Sequence, residues 1–129
     1  MQKLIFRLAL LIYIITAALV TAARIGRSNQ GNAARGERLF AGNVVVCFAC
    51  HTSDAQAISL ESIGDRVLDV RLQVPENAGK TPEQFLAESI LYHDAYIAPN
   101  TPADLMPTLY TRLLTRRDTQ DLVAYLLTL

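Results

Sequence analysis

Cys47 and Cys50 stand three positions apart and His51 follows directly, in the run Cys47-Phe48-Ala49-Cys50-His51. This spacing is the attachment signature of a c-type haem. Each thiol can add to one vinyl group of the ring, so a single short turn of chain makes two thioether bonds. The histidine then lies beneath the iron and offers an imidazole nitrogen as proximal ligand. The 129-residue chain contains two cysteines in all, so none is left for a disulfide. A zinc site needs about four ligands, and beyond the cysteines only His51 and His93 are available. A thioredoxin-type thiol pair should follow a strand in a βαβ pattern, and the sequence has no such pattern.

An iron held by one histidine has a sixth position. The candidates are Met106, His93 and solvent. Met106 precedes Pro107 in a proline-containing stretch between two expected helices, and Met1 is the only other methionine. A loop of that kind can lay a thioether on the far face of the ring, so Met106 is the expected distal ligand. His93 falls at the end of the helix that starts near Thr81, where a charged imidazole would suit the helix dipole. A His/Met pair raises the potential relative to His/His and closes the iron to oxygen and peroxide. That is the ligation of an electron carrier, not of a catalyst.

These residues need elements to position them. Asn32 is a good N-cap for a helix over about Ala33 to Ala41, with Gly42 as its stop. Val44-Val45-Val46 is an apolar run expected to pack on the haem side of the core. Cys47 to His51 should form a short helical turn, so that both thiols face one ring edge. Ser53 to Asn77 has weak periodicity and reads as loop with short helical turns. Thr81-Pro82-Glu83-Gln84 combines a cap, a first-turn proline and a capping box. A last helix should start near Thr115, with Asp118 closing its box and Leu122, Leu126 and Leu129 on one face. No stretch alternates long enough for a sheet, so the fold class is all-α. Ile58, Leu60, Phe85, Val44 and Leu105 are candidate pocket walls.

Residues 1–24 form a separate object. No charged side chain lies between Leu8 and Ala23, and Leu4 to Ala23 is about the length of a bilayer-spanning helix. Lys3 and Arg7 with Thr21-Ala22-Ala23 also resemble a cleavable signal peptide. We read the segment as a retained anchor, followed by a linker over 25–32 and one domain over 33–129. Lys3 and Arg7 face Arg24 and Arg27, so charge asymmetry does not orient the anchor. Covalent attachment of this haem takes place outside the cytoplasm in bacteria. The domain is therefore expected on the periplasmic side, with the N-terminus cytoplasmic.

Twelve basic residues balance twelve acidic ones, and ten basic against twelve acidic follow Ala23. No basic patch points to nucleic acid. With Lys3 and Lys80 as the only lysines, no lysine ring steers the domain toward an acidic redox partner. Confinement to a membrane beside fixed neighbours can replace such steering.

With these residues in view, the chain from about Ala33 to Leu129 resembles the class I c-type cytochromes. Ala34-Arg35-Gly36-Glu37-Arg38-Leu39-Phe40 looks like the family's N-terminal helix, in which a glycine and an aromatic four residues later meet the last helix. Gly36 and Phe40 occupy those positions, and Tyr125 in Asp121-Leu122-Val123-Ala124-Tyr125-Leu126 looks like the aromatic partner. Leu105-Met106-Pro107 resembles the distal ligand loop, with Ser89-Ile90-Leu91 and Tyr96-Ile97 leading to it. The resemblance implies a small cytochrome c fold around one covalent haem c, held by Cys47, Cys50, His51 and Met106. The chain departs from the pattern after the haem motif. Many members carry a Gly-Pro pair there, whose carbonyl accepts the proximal histidine N–H, whereas this chain has Gln56-Ala57-Ile58-Ser59-Leu60. Arg66, Arg71, Tyr92 and Tyr96 are candidates to hold haem propionates.

The expected function is electron transfer without a small-molecule substrate. The protein would serve as a subunit of a membrane complex, such as an alternative complex III type assembly, or as a free-standing tethered carrier. A haem enzyme or gas sensor would instead need the sixth position open.

Overall fold

The computed structural model describes residues 2–51, 59–99, 101 and 105–129, leaving aside the side chains of 3–4 and 24–29. Among the described residues the regular structure is entirely helical, as the sequence implies. The chain divides into two units, Met1–Gln30 and Gly31–Leu129.

The first unit is a single helix, α1, over Gln2–Asn29. Its stretch Ile5–Ala23 has mean hydropathy 2.2 and no part of it is buried within the protein. Nineteen residues rise about 28 Å, close to the thickness of a hydrocarbon core. The two threonine hydroxyls in this stretch are satisfied by its own backbone. Thr16 donates to the Tyr13 carbonyl at 2.9 Å and Thr21 to the Ala17 carbonyl at 2.8 Å. In hydrocarbon, where no water can take those bonds, each would otherwise cost several kcal/mol. The helix runs on through Asn29, so most of the segment read as a linker from residue 25 is helical. Its polar residues end the apolar stretch without ending the helix.

The second unit is built on the crossing of α2 (Ala33–Phe40) with α7 (Arg116–Leu126). Asn32 caps α2, its side chain accepting the Arg35 N–H at 2.9 Å. The helix closes one residue earlier than expected, with Ala41 as C-cap. Gly42 does not stop it by turning left-handed, because the left-handed glycine among the described residues is Gly79 at φ +81°. Thr115 caps α7 through a reciprocal box with Asp118. Leu122, Val123 and Leu126 turn inward, while Leu129 lies beyond the helix end and is exposed.

Between these helices lie α3 (Cys47–Cys50), α4 (Ile63–Asp69), two 3-10 turns (Arg71–Gln73 and Pro75–Asn77), α5 (Pro82–Leu91) and α6 (Tyr110–Leu113). The weakly periodic stretch thus contains one two-turn helix as well as short turns. Thr81 and Gln84 close the predicted capping box on α5. Asn77 is fully buried; its amide donates to the Arg71 carbonyl at 2.9 Å and its oxygen accepts from Lys80 at 3.2 Å. Those bonds tie the 3-10 turns to the start of α5. Phe40, Ile63, Val67, Phe85, Leu86, Leu122, Val123 and Leu126 form the core.

Candidate haem site

Cys47 and Cys50 open and close the single turn of α3, as the motif requires. They are not equivalent. Cys47 packs against the core and is half-buried, whereas Cys50 is exposed. Burial pushes the Cys47 thiol pKa up, and its S–H donates to the Val45 carbonyl at 3.6 Å. The His51 N–H donates to the Cys47 carbonyl at 3.0 Å, which places the imidazole directly after the turn, half-buried.

The turn is entered through a strained residue. Val46 has φ +41° and ψ +30°, a left-handed conformation for a β-branched side chain. Such a conformation costs on the order of 1–3 kcal/mol and persists only where the surroundings impose it. Val45 beside it is buried, while Val44 and Val46 are exposed. Of the run expected on the haem side of the core, Val45 is the one buried within the protein itself.

Tyr110 imposes part of this geometry. Its hydroxyl, buried, donates to the same Val45 carbonyl at 2.7 Å, joining residues 65 apart in sequence. Burial raises the Tyr110 phenol pKa, and the nearby Cys47 and Cys50 thiols raise it further. Nothing in the sequence reading marked Tyr110. Its available signal was a lone tyrosine four residues past Met106, next to a short apolar run. The bond brings the chain that carries Met106 to the chain that carries the thiols, since Met106 is four residues from Tyr110 and Cys47 is two from Val45. Met106 itself is half-buried in a bend, and His93 is half-buried two residues beyond α5.

Among the pocket-wall candidates, Phe85 is in the core and Leu60 packs against it, while Val44 and Leu105 are exposed. Ile58 lies outside the described residues, as does Gln56-Ala57 of the stretch expected to orient His51. Its described end is committed elsewhere: the Ser59 carbonyl accepts from Arg66 and the Leu60 carbonyl from the Ile63 N–H. Of the propionate candidates, Arg71 and Tyr96 engage one another. The guanidinium reaches the phenol oxygen at 3.4 Å and sits 5.9 Å from the ring centre. Tyr92 is exposed and lines an open depression of about 770 Å³ on α5, together with Gln84, Ala87, Glu88, Leu91, Asp94 and Ala95. None of Cys47, Cys50, His51 and Met106 lines that depression.

The residues present fit a covalent haem. Two free thiols on one turn could supply the attachment. Val44, Val46 and Phe48 around the thiol turn, and Leu105 and Leu109 near Met106 in the chain, leave large exposed apolar side chains for a macrocycle to cover. The buried Nε of Arg66 has no hydrogen-bond partner among the described residues, so one donor of a half-buried cation is open to a carboxylate.

The helix crossing that frames the site rests on two close approaches. A Cβ added to Gly36 would lie 1.9 Å from the Asp121 carbonyl oxygen and 2.8 Å from the Tyr125 Cβ. One added to Gly31 would lie 1.9 Å from the Gln120 carbonyl oxygen. Phe40 meets Tyr125 at 5.5 Å between ring centres and Phe48, inside the motif, at 6.4 Å. The motif is thereby tied through Phe40 to the crossing.

A buried charge locks the same crossing. Asp121 is fully buried; it accepts the Asn32 N–H at 2.6 Å, the Arg35 guanidinium, and Arg117 at 3.4 Å. Arg35 also binds Asp118. Burial opposes the charge on Asp121, yet the Asn32 N–H and the two arginines outweigh it and hold the carboxyl below its ordinary range. The Thr115 hydroxyl, helped by Arg35, does the same for Asp118.

An all-helical unit with a covalent haem motif and glycine-mediated crossing of its terminal helices defines a c-type cytochrome domain. The sequence from residue 33 to 129 matches the family described as Cytochrome c, and the chain belongs to it. The family binds haem c covalently, typically one per domain of this kind, and transfers electrons through it. No curated protein and no solved structure matches the chain.

Proposed function

We propose that the protein is a membrane-anchored, single-haem electron carrier with His51 and Met106 as axial ligands and Cys47 and Cys50 as the thioether positions. The observation that carries this reading is the Tyr110–Val45 hydrogen bond at 2.7 Å. It fixes the Met106 segment and the thiol turn to each other, leaving Met106 at most about 14 Å of extended chain from the bond. When bound, the haem supplies an iron that cycles between ferrous and ferric with no bond made or broken. His51 and Met106 would hold its iron, and Met106 would close it against water and gases. Arg66 offers its open Nε to a propionate, and the apolar side chains around α3 exclude water from the ring.

The apolar helix α1 supports anchoring, and the covalent attachment of haem c outside the bacterial cytoplasm supports a periplasmic domain. A single anchor, a minimal domain and the absence of a lysine ring favour service as a subunit beside fixed redox partners, as in an alternative complex III type assembly. Gentle detergent extraction and native separation test this. Co-migration with a larger haem-containing complex is expected, and migration alone at low mass would contradict the subunit reading.

A further inference from the structure

We propose that Tyr110 is a positioning residue for the iron ligands: its hydroxyl holds the Val45 carbonyl, and with it the strained Val46 turn, so that the thiol turn and the Met106 segment stay in one register.

The Val45 carbonyl accepts two side-chain donors, the Cys47 S–H at 3.6 Å and the Tyr110 O–H at 2.7 Å. Thioether formation consumes the first. The S–H adds across a vinyl double bond, sulfur bonding to one carbon and hydrogen passing to the other, with no oxidant or reductant required. The Tyr110 hydroxyl is then the side-chain donor that remains of the two. It acts where the backbone is least able to hold itself. Val46, at φ +41°, would leave the left-handed region if its neighbours released it. The turn of α3 hangs on that residue, since the Val46 carbonyl accepts the Ala49 N–H at 3.1 Å. Release at Val45 would therefore let Cys47 to His51 rotate against the Met106 segment. Tyr110 thus acts on the ligands through the Val45 backbone.

The inference rests on the His51/Met106 reading, and one comparison separates the two. It uses the full-length haem-loaded protein in detergent, as wild type, Tyr110→Phe, and Tyr110→Phe with Val46→Gly. Tyr110→Phe keeps the ring and removes only the donor. Val46→Gly makes the left-handed turn unstrained without any clasp. Tyr110→Phe should speed amide exchange across Val45–Cys50 about fivefold or more, the loss of one net hydrogen bond, while α2 and α7 exchange as before. Its reduction potential should fall and carbon monoxide should reach its ferrous iron faster. The double variant should restore the slow exchange and the potential. If Tyr110→Phe loads haem poorly, the double variant should restore loading. Unchanged exchange in Tyr110→Phe, acceleration spread evenly over the domain, or no restoration by Val46→Gly would each overturn the proposal. If wild type itself binds carbon monoxide rapidly, the axial ligand reading fails, and the exchange comparison still judges the clasp.

Discussion

The Cα of Gly36 meets the backbone of Asp121 so closely that a Cβ there would sit 1.9 Å from the Asp121 carbonyl oxygen. The crossing of α2 and α7 thus depends on a missing side chain at one point and on a buried carboxylate at the same residue of the facing helix. Phe40, one turn on, carries the packing to Tyr125 and to Phe48 in the haem motif.

Gly36→Ala therefore forces two backbones apart. The neighbour that must move is a helix carbonyl, which cannot rotate away as a side-chain tip would. We expect a loss of about 3 kcal/mol, the upper end for overpacking. A lowered urea midpoint with an unchanged slope checks this. The tilt of α2 should also disturb Phe40, so haem loading should fall in parallel.

The buried charge makes stability depend on acid. Asp118 and Asp121 are held below the ordinary carboxylate range in the fold. Their contribution is full above the unfolded value, about pH 4, and is lost as pH falls through the lowered folded values. Asp121→Asn should be clearly less stable than wild type at pH 7. The gap should narrow as pH falls through the lowered folded value of Asp121, where the wild-type carboxyl becomes protonated. Urea midpoints across that range give the comparison, and a gap independent of pH would contradict the account.

Much of this arrangement was legible in the sequence, because local rules fix it. The capping residues Asn32, Thr81 and Thr115 act on backbone groups within three positions, so their pattern survives any tertiary context. The haem motif is equally local. The Gly36, Phe40 and Tyr125 contacts were read through family resemblance, and the structure places them in contact. What escaped is long-range. Tyr110 and Val45 are 65 residues apart, and Asn32 and Asp121 are 89 apart. No spacing rule links such pairs. A charged residue at position 121, directly before the buried Leu122, was the one hint that α7 buries a carboxylate. Composition also cannot reveal that Val46, at the end of the valine run, is left-handed.

Helix α1 predicts the protein's behaviour in membranes. Full-length protein should stay with membranes through high salt and alkaline carbonate and leave with detergent. A chain starting at Gly31 should be soluble and keep the same potential, since among the described residues the core of the second unit is built from its own side chains. Release of the full-length protein by salt alone would contradict a spanning anchor. A shifted potential in the shortened chain would show that the anchor supports the haem site.

Met106→Ala removes the proposed thioether ligand. The potential should fall and the ferrous protein should acquire a site for carbon monoxide. His93→Ala should leave both properties as in wild type. If His93→Ala opens the iron and Met106→Ala does not, the distal ligand is the histidine.

Carbon monoxide binding by the reduced wild-type holoprotein tests the central claim most directly. An iron closed by His51 and Met106 should leave the ferrous spectrum unchanged on brief exposure to the gas. A rapid spectral change would mean an open or weakly held sixth position, and the protein would not be the closed electron relay proposed.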